Sequence, residues 1–329
     1  MKFAIIGCGL IGHKRAAALR ATGHSIHMTV DLASDRARQL ALQCPGASHS
    51  TDWCGAVTAS EVDAVVIATT NEWLTPVTVA AVRAGKHVVV EKPVARSVRE
   101  IDPVITAAQE TGVQVQTGFN HRYHPAIRKA RELVDAGALG PLLFLRGRYG
   151  HGGRVGYEKE WRANPDISGG GELIDQGVHL IDLARWFLGD FTVVEGQVET
   201  YFWDMSVDDN AFLNLRTATG QTAWLHASCT EWKNLFSLEV YGRNGKLEIQ
   251  GLGGSYGVER LAFYRMLPQM GPPETTIWEY PGEDQSWQLE LADFERSVRE
   301  GTSYGPTLAD ARAVLQVVDH LYRRHTDRS

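Results

Sequence analysis

Along the first 117 residues, short apolar runs alternate with stretches whose apolar residues recur every three or four positions. Lys2 to Ile6, Ser25 to Val30, Ala64 to Ala68, His87 to Val90 and Val113 to Thr117 read as strands, the first, third and fourth apolar through most of their length, as strands buried on both faces are. The stretches His13 to Ala21, Ser34 to Cys44, Leu74 to Ala84 and Val98 to Thr111 have helical period. Ser97 and Glu100 carry the spacing of a capping box, which starts the last of them. Strands alternating with helices predict an α/β unit, a doubly wound parallel sheet covered on both faces.

Beyond a helix at Pro125 to Ala136 the pattern changes, and Gly137 to Gly140 end the alternation. Strand-like runs follow without helices between most of them: Leu142 to Tyr149, Thr192 to Trp203, Asp208 to Thr217, Thr222 to Thr230, Phe236 to Tyr241 and Lys246 to Gln250. Phe212-Leu213-Asn214-Leu215-Arg216 alternates strictly, and Arg243-Asn244-Gly245 is a turn. This half reads as α+β, built on a large open, mainly antiparallel sheet. Leu252 to Tyr256 reads as a Gly-rich loop, and helices at Gln285 to Arg299 and Leu308 to His325 close the chain. The boundary is expected near residue 122, giving domains 1–122 and 123–329. Trp203, Trp224, Trp232 and Phe236 suggest an apolar sheet face for a homodimer or homotetramer, or for the chain's own helices.

Chemistry enters first at Gly7-Cys8-Gly9-Leu10-Ile11-Gly12, between a strand and a helix. Gly7 permits the tight turn, Gly9 lets backbone approach a pyrophosphate, Gly12 allows close helix packing, and the helix start around Leu10 and Ile11 offers amides to phosphate. Asp31 ends the second strand, where an acid accepts hydrogen bonds from a ribose and repels a 2′-phosphate. NAD is expected ahead of NADP, with Arg36 and Arg38 arguing the other way. Thr69, Thr70 and Asn71, and then Glu91-Lys92-Pro93, follow strands at their carboxyl ends, where ligands bind in open α/β sheets.

A second cluster lies in Gly169 to Asp182. On a helix Asp175, His179 and Asp182 fall at i, i+4 and i+7, and a histidine with a carboxylate one turn away is a proton-transfer unit. Just before it, His151, Arg154, Tyr157, Glu158, Lys159, Trp161 and Arg162 crowd into one loop, read as a substrate loop for a sugar, phosphorylated or nucleotide-linked forms included.

Together the glycine loop, Ala84-Gly85-Lys86-His87-Val88, Glu91-Lys92-Pro93 and Gly169 to Asp182 resemble the glucose–fructose oxidoreductase and inositol dehydrogenase (Gfo/Idh/MocA) family, in its order and spacing from residue 2 to about 190. The resemblance implies a Rossmann domain for NAD, an antiparallel-sheet domain for substrate and oligomerisation, and hydride transfer from a polyol or sugar hydroxyl. By the same resemblance Lys92, Asp175 and His179 match the catalytic positions. Asn120, Arg122 and Tyr149 join the loop residues as substrate candidates. Where many members have Pro and His after the third strand, this chain has Thr70 and Leu74. Two alternatives stay open, a non-catalytic NAD sensor and an NAD-dependent glycosidase. A metal-dependent dehydrogenase using His179, Asp175 and His151 lacks a tight ligand cluster, so no metal is expected.

Composition narrows the partners. A net charge of -6 without a basic run excludes a nucleic-acid partner by this reading, and 43% apolar residues allow a sizeable core. Four cysteines without C-x-x-C spacing are expected to be reduced, in a cytoplasmic protein, with a Cys44 to Cys54 pair left open. The apolar start is too short for a signal peptide, and no run is long enough to span a membrane.

Overall fold

The computed structural model describes residues 1–326, and the chain divides into two compact units. Unit 1 is made from Met1–Phe119, Asp166–Gly169 and Trp287–Leu315. Its elements are β1 (Lys2–Ile6), α1 (Leu10–Ala21), β2 (Ser25–Val30), α2 (Ser34–Ala41), β3 (Ser48–Ser50), α3 (Trp53–Thr58), β4 (Ala64–Ile67), α4 (Asn71–Arg83), β5 (His87–Glu91), α5 (Val98–Thr111) and β6 (Val115–Gly118). All six strands are parallel, in the order β3-β2-β1-β4-β5-β6. That is the doubly wound order, with the chain reversing direction beside β1. The strand and helix β3 and α3 were not expected, because Ser-His-Ser carries no apolar run. Helix α2 stops at Ala41 instead of Cys44, since the amides of Gln43 and Cys44 turn back onto Leu40 and Ala41. The Ser97 hydroxyl accepts from Glu100 N at 3.3 Å as anticipated. The Glu100 carboxylate instead takes Arg96 N at 2.9 Å, so the capping box is half made.

The expected linear division at residue 122 is corrected. The chain leaves unit 1 after Phe119 and returns for Trp287–Leu315. The reason is apolar burial: Trp287, Leu291 and Phe294 join Phe3, Ile5, Leu19, Leu40 and Val66 in one core. Among them lies a fully buried charge, Arg15, whose guanidinium meets Glu91 at 2.6 Å and also pairs with Glu290. Its face rests on Trp287, 4.5 Å from the ring centre. Burial alone would push Arg15 down in pKa, but the charges of Glu290 and then Glu91 hold it well above its usual range.

Unit 2 holds α6 (Pro125–Asp135), β7 (Leu142–Gly150), α8 (Val178–Leu188), β8 (Phe191–Glu199), β9 (Asn210–Thr217), β10 (Thr222–Ser228), β11 (Leu235–Gly242), β12 (Lys246–Gln250), β13 (Glu259–Arg265) and β14 (Glu274–Tyr280), while the short α7 (Pro165–Ser168) has all but its first residue in unit 1. Helices α9 (Ser286–Glu300) and α10 (Leu308–Thr326) complete the described chain. The sheet has eight strands, β14-β13-β12-β11-β7-β10-β9-β8, antiparallel except for the β7–β10 pair. Two strands escaped the sequence reading, β13 and β14. The second is an exposed edge strand whose alternation is faint.

One sheet face is apolar and covered: Leu145, Leu213, Leu215, Leu225, Leu238 and Val240 are buried. A side chain at Gly147 would strike Leu180 of α8, Leu225 and Leu238, which shows how closely the helix lies. On the other face Phe144 stacks on Tyr241 and Phe212 on His226, while Trp224 is 66% exposed. Phe236, read as part of an apolar sheet face for other copies or for the chain's own helices, is buried within the chain and packs edge-on against Tyr149 and His121. The cysteines are free, with Cys8, Cys44 and Cys229 buried and Cys54 exposed. Among the described residues no helix is long and apolar enough to cross a membrane.

Candidate active site

In unit 1 the glycines behave as their spacing demands. Gly7 sits at φ 96°, where a side chain would lie 2.3 Å from the Ala68 carbonyl oxygen. A side chain on Gly12 would come within 2.1 Å of the Gly7 oxygen, whereas Gly9 faces open space. Gly9 is also the first residue before α1, and no side chain among the described residues caps its amides. The amides of Leu10, Ile11 and Gly12 therefore lie at a positive helix end beside room for an anion.

Asp31 follows β2, accepting from Cys8 N and Ala33 N at 2.9 Å each, one per carboxylate oxygen. Each oxygen keeps a lone pair for a ribose hydroxyl. These residues fit a dinucleotide: an anion cradle and a diol acceptor at the carboxyl ends of the neighbouring strands β1 and β2.

The neighbouring strand ends are more mixed. Thr69 donates to the Thr70 carbonyl at 3.1 Å, and Thr70 precedes α4. Asn71 is buried and spends its amide on the Ser168 carbonyl at 2.8 Å, tying down Asp166–Gly169. Glu91, expected at the cofactor, is turned onto Arg15. Lys92 follows directly, half-buried, with a cis bond to Pro93.

In unit 2 the Gly-Gly-Gly stretch runs into a π turn, Leu173–Gly177, before α8. Its start is pinned by Asp208, which accepts Gly171 N at 2.9 Å and Leu173 N at 2.8 Å. Tyr322 donates to the same carboxylate at 2.9 Å. Burial pushes Asp208 up to about 6 against the pull of these donors. At Gly171 a side chain would meet the Asp208 oxygen at 1.8 Å, and at Gly170 the Tyr322 hydroxyl at 2.2 Å, so both must be glycine.

A π turn widens the helix and shifts the residues after it. Asp175, His179 and Asp182, expected on a single helix face, take different partners. Asp175 accepts from Arg162 Nε at 2.9 Å. Asp182 is held by both prongs of Arg122, at 2.8 and 2.5 Å. His179 stacks on His121, ring centres 3.7 Å apart at 21°, and both are nearly fully buried. Tyr149 stands edge-on to the pair, 4.9 Å from His121 and 6.0 Å from His179. Burial, then the neighbouring Tyr256, holds the Tyr149 phenol well above its ordinary range.

Beside this box Glu172, 1% exposed, accepts Tyr157 OH at 3.0 Å and lies 3.5 Å from His151 Nε2. Burial opposes charge on His151, but the hydrogen bond and charge of Glu172 outweigh it and raise the imidazole's pKa. Arg162, with its guanidinium 4.5 Å from the Trp161 ring, also faces Glu160 at 3.9 Å.

Unit 2 therefore gathers Tyr149 and His179 around His121, His151 and Tyr157 around Glu172, and Arg162 on Asp175. Three expected substrate residues are placed otherwise. Arg122 is 11% exposed, and its Nε and Nη2 are engaged by the two oxygens of the Asp182 carboxylate. Asn120 is buried and donates to Ser286 Oγ at 3.0 Å. Arg154 is exposed and paired with Glu160 at 2.6 Å. His121, Glu172 and Tyr256 escaped the sequence reading. Glu172 lay within the stretch Gly169 to Asp182 without a role, Tyr256 within the Gly-rich loop, and His121 followed the last strand-like run of the alternating half. Among the described residues no group of three His, Cys, Asp or Glu is placed to hold a metal ion.

Comparison with known proteins agrees with this geometry. Residues 1–119 match the model described as "Oxidoreductase family, NAD-binding Rossmann fold", and residues 127–248 match the "GFO/IDH/MocA C-terminal domain". A levoglucosan dehydrogenase of Pseudarthrobacter phenanthrenivorans is 26% identical over 329 residues, 88% of this chain and 83% of that protein. A scyllo-inositol 2-dehydrogenase (NAD(+)) of Bacillus subtilis is 27% identical over 330 residues, covering 96% and 92%. A 1,5-anhydro-D-fructose reductase of Ensifer adhaerens is 30% identical over 249 residues, covering 73% and 74%. Among solved structures, levoglucosan dehydrogenase in complex with NADH and levoglucosan superposes with a TM-score of 0.90 at 23% identity, over 100% of this chain and 98% of that one, and so shares its fold. The chain belongs to the GFO/IDH/MocA family and is an NAD-binding oxidoreductase.

Proposed function

We propose that this oxidoreductase moves a hydride between a secondary hydroxyl of an uncharged sugar or polyol and the nicotinamide of NAD. The observation that carries the reading is the buried imidazole of His179, stacked on His121 and walled by Tyr149, four residues after the Arg162-bound Asp175. The names of the relatives described above, dehydrogenases and a reductase of sugars and inositols, point the same way. Bound NAD supplies the hydride acceptor; the amides around Gly9 to Gly12 hold its pyrophosphate, Asp31 its ribose, and Thr69 and Thr70 its nicotinamide half.

The chain's own residues do the rest. His179 accepts the hydroxyl proton on an imidazole nitrogen, the usual role of histidine as a general base. The Lys92 ammonium stabilises the developing alkoxide. Asp175 aligns the substrate or His179, with its charge balanced by Arg162. An uncharged substrate is favoured over a phosphorylated or nucleotide-linked one because Arg154 and Arg162 both already face carboxylates.

The test is a screen of inositols, aldoses, anhydro sugars and sugar phosphates for NAD reduction, run beside His179→Ala. That variant should keep its NADH affinity and lose turnover by roughly 10²- to 10⁴-fold, the worth of a general base. Wild-type-like turnover removes His179 from the role, and a clear preference for sugar phosphates removes the uncharged substrate. In the same proposal copies of the chain associate through the open sheet face carrying Trp224, Phe144 and Phe212. A monomer in sedimentation equilibrium at micromolar concentration would rule that out.

A further inference from the structure

Two aromatic segments of unit 2 take no part in the steps above. Tyr201, Phe202 and Trp203 donate their backbone amides to one carboxylate, Asp209, at 2.9, 2.7 and 3.0 Å. The Trp203 indole donates to the Cys229 carbonyl at 3.0 Å. A backbone fixed this firmly nonetheless holds apolar rings out into water: Phe202 is 55% exposed and Trp232 82%. Their ring centres are 5.5 Å apart at 70°, and Phe202 lies 5.0 Å from Trp203. Trp232 adopts φ 59°, a left-handed backbone uncommon for a bulky residue.

The platform is built onto the polar loop. A side chain at Gly152 would stand 2.7 Å from the Trp232 backbone, and one at Gly153 would stand 2.4 Å from the Trp203 ring. His151 and Glu231 are also joined through their backbones at 3.0 Å. From Trp203 the ring contacts continue inward to the buried Tyr157, 5.6 Å away, whose hydroxyl donates to the buried Glu172 carboxylate. Apolar rings thus run from solvent to a carboxylate and the His151 imidazole. One end suits the C–H face of a ring, and the other suits hydroxyl groups. Exposed contiguous aromatic surface marks a binding site more often than chance exposure does.

We propose that Phe202, Trp203 and Trp232 form a subsite for a second ring, so that the preferred substrate is a glycoside. Its oxidised ring reaches toward Glu172, and its aglycone or second sugar stacks on Phe202 and Trp232. The proposal rests on the reading of unit 2 as the carrier of a polyol site.

The test is calorimetric titration of the NADH-loaded full chain with phenyl β-glucoside and with glucose, in wild type, Trp232→Ala and Phe202→Ala. The ratio of the glucoside Kd to the glucose Kd should rise about tenfold in each variant, the worth of one aromatic stacking contact. An unchanged ratio overturns the proposal, as does failure of either compound to bind. So does an unchanged ratio accompanied by a shift of Trp232→Ala in sedimentation velocity, which assigns the patch to a contact between copies. Because binding is read directly, a chain that binds the glucoside but reduces no NAD overturns the dehydrogenase reading and leaves the subsite standing.

Discussion

Replacing Arg15 by Met tests the return of the chain's late segment to the nucleotide-binding unit. Arg15 is fully buried between Glu91 of β5 and Glu290 of α9, with side-chain exposures of 0%, 10% and 0%. Arg15→Met keeps most of the apolar stem and removes the one guanidinium these two carboxylates share. Breaking a buried pair while leaving its partner charged costs about 3 to 5 kcal/mol, most of it the unpaired charge. For a unit of this size each kcal/mol moves the melting temperature by about 2 to 4 °C, so the expected drop is about 6 to 20 °C.

The deficit should depend on pH with a definite sign. A buried carboxylate deprived of its cation favours its protonated form, so the folded variant binds protons more readily than the unfolded chain. Stability is then regained as the pH falls toward the ordinary carboxylate range and lost as it rises. The triple variant Arg15→Met, Glu91→Met, Glu290→Met should recover most of the loss, because an apolar replacement of a whole buried ion cluster is close to neutral. Scanning calorimetry between pH 5 and 8 reads all three effects. A single variant melting within about 2 °C of wild type, or a triple variant no better than the single, would refute the reasoning.

Other consequences follow from the geometry. Gly12→Ala places a methyl group 2.1 Å from the Gly7 carbonyl, so the loop must open. Loss of even one charge-assisted bond to phosphate is worth about 1.5 to 3 kcal/mol, or roughly 10- to 150-fold in NADH affinity by fluorescence titration; a Kd within about threefold of wild type would contradict it. At His151, whose pKa is raised above 6.5 by Glu172, the ion pair's contribution is fully present below that value and is lost as the pH rises through the folded value. Hydrogen exchange in residues 151–163 should therefore quicken on passing from mildly acidic to alkaline pH by more than the intrinsic chemical rate. His151→Gln should remove this extra step, and an equal step in the variant would exclude His151 as its origin.

The nucleotide-binding unit was written locally. Its apolar strands, its glycine spacing and Asp31 each depend on neighbours within about thirty residues, and the structure places them as the pattern requires. The antiparallel character of the second sheet was legible for the same reason, since alternation in Phe212 to Arg216 is a property of one strand. What contiguous pattern does not carry is pairing over long separation. Trp287, Leu291 and Phe294 look like any amphipathic helix, and only burial beside Phe3 and Leu19 shows that they complete the first core. The parallel pairing of β7 with β10 is equally invisible, because register across 70 or more residues is a choice of the folded sheet.

The candidate site divides along the same line. Spacing alone drew attention to Asp175, His179 and Asp182, because helix period is local. What each of them meets follows from packing around the π turn at Leu173–Gly177, whose first amides are pinned by Asp208 from 35 and 37 residues downstream. His121 meets His179 from 58 residues away, and Arg122 takes Asp182 out of the site over a similar distance. The sequence by itself determined the class of cofactor and the residue types available for proton transfer. The tertiary structure alone decided which of those residues stand together, because side-chain contact is set by packing in three dimensions and not by position along the chain.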